Sequence, residues 1–423
     1  MIFRNALITF MAVLASVPLC AQDILPGTRD PWQWPFDRGS IWNMPIGSGA
    51  EYKDAGFEAA GHVGVDIQII LELDENDPLQ QAHLSTGFGP GRCDSTGIID
   101  FYLPLPDTWI VPDAGNSPYG RTPNSNYAFR MPGAQSDTVH EGCRIARCVE
   151  GGPFYIPDWM KWPNNRKFQS ITGDGMHGAG QGATGMSSLG GTLRKGELVG
   201  NEPIRHAVKI NPWAEKYCHY SESVPGWKWP ARRADGYAPD RYNREGDPDI
   251  VMGSLFAIPP DVTEGALDLA TEPGKKLFFT LRNYGAYFTE DAAWDTWDLI
   301  VERDAETAFE DTYGFSMKSD TWRADVNKLM RALHVVTNNA PDRIGGGGTP
   351  LQPLAPDFGN DATGADRRLV PSVPARPAWV PAAGTSYDLF GRRITTGRPP
   401  RGVHVIVSSC SAGMERALAM DRH

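Results

Sequence analysis

The chain of 423 residues has little positive charge and lacks several short motifs that identify common enzyme classes. Its 40 Lys and Arg residues are outnumbered by 51 Asp and Glu residues, which gives a net charge of −11. A general nucleic-acid-binding protein is disfavoured, because neutralising phosphates requires a basic surface. The sequence contains neither H-E-x-x-H nor G-x-S-x-G, so zincin proteases and ordinary α/β-hydrolases are poorly supported.

Long hydrophobic runs are also scarce. The clearest, residues 6–17, follows Arg4 and precedes the sequence Pro-Leu-Cys-Ala at 18–21. It is too short to span a bilayer comfortably and has the form of a secretory signal, so we expect residues 1–21 to be a signal peptide. A lipoprotein signal ending at Cys20 is the alternative, although Leu19 is larger than the residue such sites usually have. No later run is long enough to predict an integral membrane span.

Cysteine usage agrees with export. Of six cysteines, four remain when Cys20 and Cys410 are set aside with the two ends of the chain. In an oxidising compartment these four could form two disulfides in any of three pairings. A zinc site competes, but the paired C-x2-C spacing that supports such sites is absent, and we predict no metal site here. The candidate disulfide residues are Cys93, Cys143, Cys148 and Cys218.

Gly (46 residues) and Pro (35) make up about a fifth of the chain, which indicates many turns and short strands. Five short apolar runs are bounded by Gly, Pro, Asn or Asp, and no internal repeat is visible. This pattern predicts a mostly β protein with a β-sandwich or jelly-roll-like main domain. The runs cover residues 63–73, 98–103, 207–210, 251–258 and 276–281.

One amphipathic helix is predicted towards the end of this domain, from about Asp320 to Val336. Its apolar residues recur at helical spacing and Asp320 could cap its start. We place the main domain at residues 22–340, with Gly345–Gly348 at the start of a flexible Gly/Pro-rich linker over 341–383. The apolar face of the helix consists of Trp322, Val326, Leu329, Met330 and Leu333.

The C-terminal region carries the sequence Ser-Tyr-Asp-Leu-Phe-Gly-Arg-Arg at 386–393 and the alternating strand Val-His-Val-Ile-Val at 403–407. Residues 384–423 resemble the type A C-terminal sorting domain of the type IX secretion system. The resemblance implies recognition by that secretion machinery, passage across two membranes, and release or retention at the cell surface. An ordinary β-hairpin of a small accessory domain is the alternative.

The densest polar constellation lies in a Gly-rich stretch at 173–198 and continues to residue 209. Closely spaced Gly lets the backbone pass near a ligand or another strand, but the spacing is neither a P-loop nor a G-x-G-x-x-G that opens a helix. His can act as acid or base, and Arg can neutralise a substrate carboxylate. A loop histidine, a core histidine and a structural Arg194–Glu197 ion pair are the plain alternatives. The candidates here are His177, Arg194, Glu197, Arg205 and His206 as catalytic residues and Lys209 as a substrate-binding residue.

Further candidates lie downstream. Tyr284 and Asp291 could join the same cleft, because Tyr is a common proton donor in β-elimination of uronic acid polymers. Aromatic side chains can stack on the apolar faces of sugars, although core packing explains any single one equally well. The stacking and substrate-binding candidates are Trp227, Trp229, Tyr287 and the pair Trp294 and Trp297.

From residues 37–50 through the two His motifs to Tyr284, the chain resembles a poorly characterised family of secreted bacterial and fungal proteins. This resemblance transfers no chemistry. The acidic run at 72–78 could hold a structural Ca²⁺ ion, but without EF-hand spacing a solvated turn is favoured, and no other cofactor is expected.

Together these features predict a secreted carbohydrate-active enzyme that acts on an anionic polysaccharide by β-elimination or hydrolysis. In a lyase, Arg194 or Arg205 would neutralise the carboxylate, His206 or His177 would remove the C5 proton, and Tyr284 would protonate the leaving oxygen. In a hydrolase, two carboxylates would act instead, with Glu197 and Asp291 as the first pair. A non-catalytic glycan-binding or structural surface protein explains the same export signals and aromatics.

Overall fold

The computed structural model describes residues 23–86, 91–111, 125–157 and 166–359, with three short strands nearer the C-terminus. Strands account for 28% of the residues and helices for 16%, which confirms the prediction of a mostly β chain. The strands are β1 (Thr28–Arg29), β2 (Tyr52–Asp54), β3 (His62–Glu72), β4 (Leu79–Ser85), β5 (Ser95–Pro104), β6 (Asn126–Arg130), β7 (Thr138–Gly142), β8 (Phe154–Pro157), β9 (Arg166–Ser170), β10 (Val208–Asn211), β11 (Leu255–Ala257), β12 (Ala286–Phe288), β13 (Thr296–Glu302), β14 (His334–Val336), β15 (Asp357–Phe358), β16 (Ser386–Tyr387), β17 (His404–Ile406) and β18 (Ala417–Ala419).

Ten of these strands form one mixed sheet in the order β2-β14-β11-β12-β10-β13-β3-β6-β7-β9. Three neighbouring pairs are parallel: β10 with β12, β13 with β3, and β3 with β6. A jelly roll is built from antiparallel sheets, so this sheet differs from that part of our expectation. The reason is that the two strands of each parallel pair are separated by long connections, which contain β4 and β5 between β3 and β6 and several helices between β10 and β12.

A smaller sheet, β5-β4-β8, packs on one face of the larger one and makes a local two-sheet sandwich. Its inward side chains, including Phe101 and Phe154, meet Tyr127 and Phe129 of β6 in a separate apolar core. β4 alternates between buried and more exposed residues along its length, as expected when one face of a sheet is covered. The predicted sandwich therefore describes this part of the molecule, and the larger sheet extends well beyond it.

One disulfide, Cys93–Cys148, links the start of the β5 hairpin to the segment before β8. Cys143 and Cys218 are buried and unpaired, so the prediction of two disulfides among the four candidates is wrong. The C-x4-C spacing of Cys143 and Cys148 therefore does not mark a bonded pair.

Six α-helices are described: α1 (Ala214–Tyr217), α2 (Ala238–Arg241), α3 (Glu264–Leu267), α4 (Glu272–Asn283), α5 (Ala305–Tyr313) and α6 (Asp320–Arg331). Ser319, one residue before the expected cap, accepts a bond from the backbone N–H of Trp322 and begins α6. The predicted helix ends early, because residues 334–336 form β14.

The apolar run at 276–281, which we interpreted as a strand, lies inside α4. Thr271 caps this helix and Pro273 occupies its first turn, which are strong helix-start signals. Leu277 and Leu281 are buried one helical turn apart. The run is short enough to match the apolar spacing of a helix or that of a strand. The capping residues are therefore the signal that distinguishes the two.

The predicted linker begins too early, because residues 341–359 belong to the main unit. Gly345–Gly348 all have positive φ, and the backbone N–H groups of Gly47 and Gly49 donate to Gly345 and Gly347. β15 then pairs in parallel with β1 near the N-terminal end of the described residues. The four glycines are thus a closely packed turn and not a flexible exit.

The C-terminal strands β16, β17 and β18 form an antiparallel sheet of their own. The predicted signal peptide and most of the predicted linker and sorting domain lie outside the described residues. Among the described residues, no helix is long and apolar enough to cross a membrane.

One face of the ten-stranded sheet is polar at its centre. The registers place Asp66 of β3, Lys209 and Asn211 of β10, and Asp298 of β13 on this face. The Gly-rich segment, residues 171–206, covers part of it, and its Ser187 and Ser188 carbonyls accept hydrogen bonds from the Lys209 ammonium at 3.0 and 2.8 Å. Backbone carbonyls of the segment thus provide the hydrogen bonds that water would otherwise provide to the buried Lys209 ammonium.

Glycines allow this close approach. A Cβ atom on Gly178 would overlap the Glu141 carboxylate, and one on Gly190 would overlap the Trp42 indole. The buried Glu141 carboxylate accepts from the Ser187 hydroxyl at 2.6 Å and from the Leu189 N–H at 2.8 Å. The composition of the segment therefore reflects packing against the sheet.

We predict that Gly190→Ala lowers the free energy of unfolding by about 1–3 kcal/mol, because the new methyl group must displace the Trp42 ring in a filled core. Urea denaturation followed by tryptophan fluorescence measures the change. Gly236→Ala is the matched control, since a Cβ atom there meets no atom within 4 Å. Equal stability of the two variants would contradict this account of the segment.

Candidate functional site

Three of the predicted catalytic residues meet at one place. The Glu197 carboxylate lies 3.0 Å from His206 Nε2 and accepts the Arg194 backbone N–H at 2.6 Å. The Arg194 guanidinium turns to other partners: Nε donates to Glu302 at 2.9 Å, and a terminal nitrogen donates to the Trp32 carbonyl at 2.6 Å. The expected Arg194–Glu197 pair is thus replaced by two linked ion pairs.

Both ring nitrogens of His206 face hydrogen-bond acceptors. Nε2 faces Glu197, and Nδ1 lies 3.0 Å from the Ala207 carbonyl oxygen. Only an imidazolium can donate to both. Burial lowers the pKa of His206, but the charge and hydrogen bond of Glu197 outweigh that effect and leave it raised. In this arrangement His206 has no free lone pair with which to act as a base.

A small pocket opens beside this cluster. Two tryptophans and two glycines line it together with His206 and Arg194. One of the tryptophans, Trp34, is half-buried and donates its indole N–H to Asn43. The pocket is lined by Gln33, Trp34, Pro35, Trp42, Asn43, Leu189, Gly190, Gly191, Thr192, Arg194 and His206.

The other predicted catalytic residues lie elsewhere. The His177 side chain is 71% exposed and lies 3.4 Å from Asp174. Tyr284 is buried and interacts with Arg205. Asp291 accepts from the Tyr237 hydroxyl at 2.8 Å. Among the described residues, these three neither hydrogen-bond to Glu197 or His206 nor line the pocket beside them.

Two predicted substrate-binding residues, Lys209 and Tyr287, are fully buried, so neither reaches the surface. Tyr287 packs edge-on against Trp42 with the ring centres 5.6 Å apart. Trp227 and Trp229 are half-buried against the main core. Most of the predicted aromatic platform is therefore core packing.

The strongest polar constellation lies on the polar face, near the carboxyl ends of β10 and β12. We call it the carboxyl cluster and define it as Asp66, Asp235, Glu290, Asp291 and Asp298. Because β10 and β12 are parallel neighbours, the residues that follow them emerge at the same edge of the sheet.

Hydrogen bonds hold its members in place. Asn211 donates to Asp66 at 2.6 Å, and the Thr296 hydroxyl donates to Asp298 at 3.1 Å. On the other side of the cluster, the Tyr242 hydroxyl donates to Asp235 at 2.6 Å. Strand pairing and loop contacts thus fix acids that are far apart in sequence.

Burial dominates the acidity of the cluster. It raises the pKa of Asp66 to about 6 and that of Asp235 to about 6. It also raises the pKa values of Glu290 and Asp298 well above those of ordinary carboxyls, and the charge of Asp66 adds to both effects. Burial and mutual repulsion thus make these four acids bind protons more tightly than ordinary carboxyls do, and perturbed pKa values of this kind are common at functional sites.

Lys209 supplies the opposing charge. Its ammonium interacts with Asp66 and Glu290 of the cluster and with Glu141 on the far side. Burial lowers the pKa of Lys209 to about 7 despite those carboxylates. Lys209 is therefore a positioning and neutralising group beneath the cluster, and its predicted direct contact with a substrate is replaced by this role.

An exposed aromatic residue lies in the loop that joins Asp291 to Asp298. Trp294 is 39% exposed, and its ring packs on His62 with the centres 4.6 Å apart. Trp297, the other member of the predicted pair, is buried against Phe57. Trp294 is thus the one of the two that offers a flat face to a ligand.

Sequence reasoning identified Asp291 but missed Asp66, Asp235, Glu290 and Asp298. One signal was available for Asp66 and Asp298, because each is an acid in the interior of a mainly apolar strand sequence. A charge at such a position is costly unless it has a use or a partner. Asp235 and Glu290 lie in loop sequences with no comparable signal.

The acidic run at 72–78 is a turn. Glu72 pairs with Arg130 at 2.9 Å, and Asp74 accepts the Asn76 backbone N–H at 2.9 Å. Within the described ranges, no group of His, Cys, Asp and Glu side chains is arranged to hold a metal ion.

Comparisons with protein-family models, curated proteins and solved structures find no match to this chain.

We predict that Glu197→Gln destabilises the protein by about 1.5–3 kcal/mol at mildly acidic pH, because a buried charge-assisted hydrogen bond is lost. Since folding raises the pKa of His206, this contribution is present below the unfolded pKa and disappears as the pH rises through the folded value. Denaturant titrations across this range measure it. Glu222→Gln, at an exposed position, is the control, and a pH-independent difference would contradict the His206–Glu197 account.

Proposed function

We propose that the protein is an extracellular carbohydrate-active enzyme that acts on an anionic polysaccharide at the carboxyl cluster. The observation that carries the proposal is the pair of half-buried acids Asp66 and Asp298 on one sheet face, next to Glu290, which also interacts with half-buried Asp235. Glycosidic bond hydrolysis requires one carboxyl group that is protonated and another that is ionised. Exposed Trp294 beside the cluster is suited to stacking on a sugar ring.

Acid–base catalysis follows from the environment of these groups. Asp66 and Asp298 lie on adjacent parallel strands, and the charge on one opposes ionisation of the other. A proton shared within such a set is available to a leaving oxygen, while an ionised neighbour activates water or stabilises positive charge on the sugar. Lys209 limits how many of the carboxyls are protonated at once.

The preference for an anionic polymer is supported by basic side chains at the edge of the cluster. Arg233 interacts with Asp235 and Glu290, and it also lies close enough to Lys167 to affect its pKa. Burial, followed by the charges of Arg232 and Arg233, lowers the pKa of Lys167. Such a concentration of positive charge favours a uronate carboxylate.

Hydrolysis fits the geometry better than β-elimination does. Of the residues first assigned to elimination, His206 is engaged at both nitrogens, and the pocket that it lines includes neither His177 nor Tyr284. The carboxylate pair that the sequence predicts for a hydrolase, Glu197 and Asp291, is also replaced. These two residues share no hydrogen-bond partner among the described residues. Asp66 and Asp298 take their place.

A non-catalytic glycan-binding protein is the second candidate. It is favoured by the separation of the His, Arg and Tyr side chains, which leaves Trp294 and the basic groups as contacts for a glycan without requiring turnover. Export through a signal peptide and recognition by the type IX secretion machinery belong to both proposals.

We expect Asp66→Asn and Asp298→Asn each to reduce hydrolysis of an anionic polysaccharide by at least ~10²-fold, as for loss of an acid–base catalyst. Because the Asp66 carboxylate also compensates the buried Lys209 ammonium, thermal unfolding of both variants is recorded to separate loss of catalysis from loss of folding. Release of reducing ends and absorbance of unsaturated uronate are followed together on pectate, alginate and chondroitin. Asp342→Asn, whose side chain is 80% exposed, is the control.

The readouts separate the candidates. Reducing ends without double-bond absorbance support hydrolysis, and double-bond absorbance means elimination. No product from any polymer, together with measurable binding, means the non-catalytic alternative. Activity retained in both Asp variants would exclude the carboxyl cluster as the catalytic site.

We expect Trp294→Ala to weaken binding of the same polymer about tenfold, equivalent to about 1.4 kcal/mol, because a stacking surface is lost. Affinity electrophoresis or calorimetry measures the change. Leu351→Ala, which removes another exposed apolar side chain (43% exposed), is the control. Unchanged affinity would show that Trp294 is not a sugar platform.

A further inference from the structure

A second polar arrangement lies on the smaller sheet, away from the carboxyl cluster. The Ser95 hydroxyl of β5 lies 2.7 Å from Nδ1 of His83 on β4, and Nε2 of His83 lies 2.9 Å from the side-chain carbonyl oxygen of Gln81. The Gln81 oxygen can only accept, so Nε2 carries the proton and the Nδ1 lone pair accepts from Ser95. This is the order of groups that activates a serine.

The backbone creates this contact. The pairing of β4 and β5 shifts register between His83 and Ser85, where Ser95 lies opposite Ser85 and Ile99 lies opposite His83. The strand therefore contains extra residues, and Gly97 among them has φ +85°. Bulges of this kind redirect side chains and are frequent beside active sites. Here the bulge brings the Ser95 hydroxyl to the imidazole.

Ser95 is exposed, and its hydroxyl oxygen accepts one hydrogen bond from the backbone. The Gly97 N–H donates to Ser95 Oγ at 2.9 Å, which leaves the hydroxyl proton free to point at His83 and stabilises negative charge on the oxygen. Burial lowers the pKa of His83, so the ring is neutral at neutral pH and its lone pair is available.

The surroundings suit a small acyl group. Ile99 and Tyr155 flank His83 on the two neighbouring strands and share its face of the sheet. Both residues are apolar or aromatic, and Ile99 is 36% exposed. The opposite face of the same sheet packs into the core, so this is its solvent-facing side. An apolar wall beside an activated hydroxyl matches an ester more closely than a charged substrate.

We propose that Ser95, His83 and Gln81 form a hydrolytic site for esters of short acyl groups. Ser95 Oγ bonds to the acyl carbon while its proton moves to His83 Nδ1. The bond from that carbon to the alcohol oxygen breaks, and the alcohol leaves with this proton. Water, deprotonated by the same nitrogen, then hydrolyses the acyl-serine to release the carboxylic acid and restore Ser95. Gln81 is a positioning residue that fixes the imidazole tautomer.

The site is tested with the full chain and two probes: 4-nitrophenyl acetate for turnover and a fluorophosphonate for covalent labelling. Mass spectrometry should find one adduct, on the peptide that contains Ser95. Ser95→Ala should abolish the adduct, and His83→Asn should slow both acylation and labelling by ~10²-fold. Ser136→Ala, at another exposed serine, is the control and should label at the wild-type rate.

Gln81 distinguishes positioning from a purely structural role. Gln81→Glu keeps an acceptor beside Nε2 and should retain labelling, whereas Gln81→Leu removes the acceptor and should slow it while thermal stability stays near that of the wild type. Labelling spread over several serines, or equal labelling rates for the wild type and His83→Asn, would overturn the proposal. Neither result depends on whether the carboxyl cluster hydrolyses polysaccharides.

Discussion

A buried positive charge at the centre of the ten-stranded sheet is the constraint on which the rest of the molecule depends. Lys209 is fully buried, and a lone ammonium there would be very costly. Carbonyl oxygens of Ser187 and Ser188 and the carboxylates of Asp66, Glu141 and Glu290 compensate it. These partners come from different regions of the sequence, so the charge is satisfied only when the sheet and the Gly-rich segment are assembled together.

The same constraint explains why acids with unusual pKa values lie beside a well-packed core. Carboxylates near Lys209 are needed to stabilise it, but they also repel one another and are shielded from water. Asp66 and Asp298 are only half-buried, so two of these mutually repelling carboxyl groups remain partly accessible to solvent. Structural necessity and chemical reactivity thus arise from one arrangement, which is a common origin of reactive groups in proteins.

Local features were predictable from the sequence, and long-range ones were not. The apolar face of α6, including Trp322 and Val326, has a period that only a helix satisfies, and it is buried as expected. The link between Glu197 and His206 could be anticipated because nine residues separate them. Nothing local indicates that Asp66 will meet Glu290, because their contact requires β3 and β12 to enter the same sheet on either side of β13 and β10. The composition of the Gly-rich segment predicts a close approach of its backbone to a neighbour, and in the structure the neighbours of Gly178 and Gly190 are the Glu141 and Trp42 side chains.

The pairing of β1 with β15 has a mechanical consequence. These two strands of two residues each bring the beginning and the end of the main unit side by side. A pulling force applied between these two ends would therefore act first on the β1–β15 pair, in shear. The ten-stranded sheet would bear the force only after the hydrogen bonds of this pair had broken.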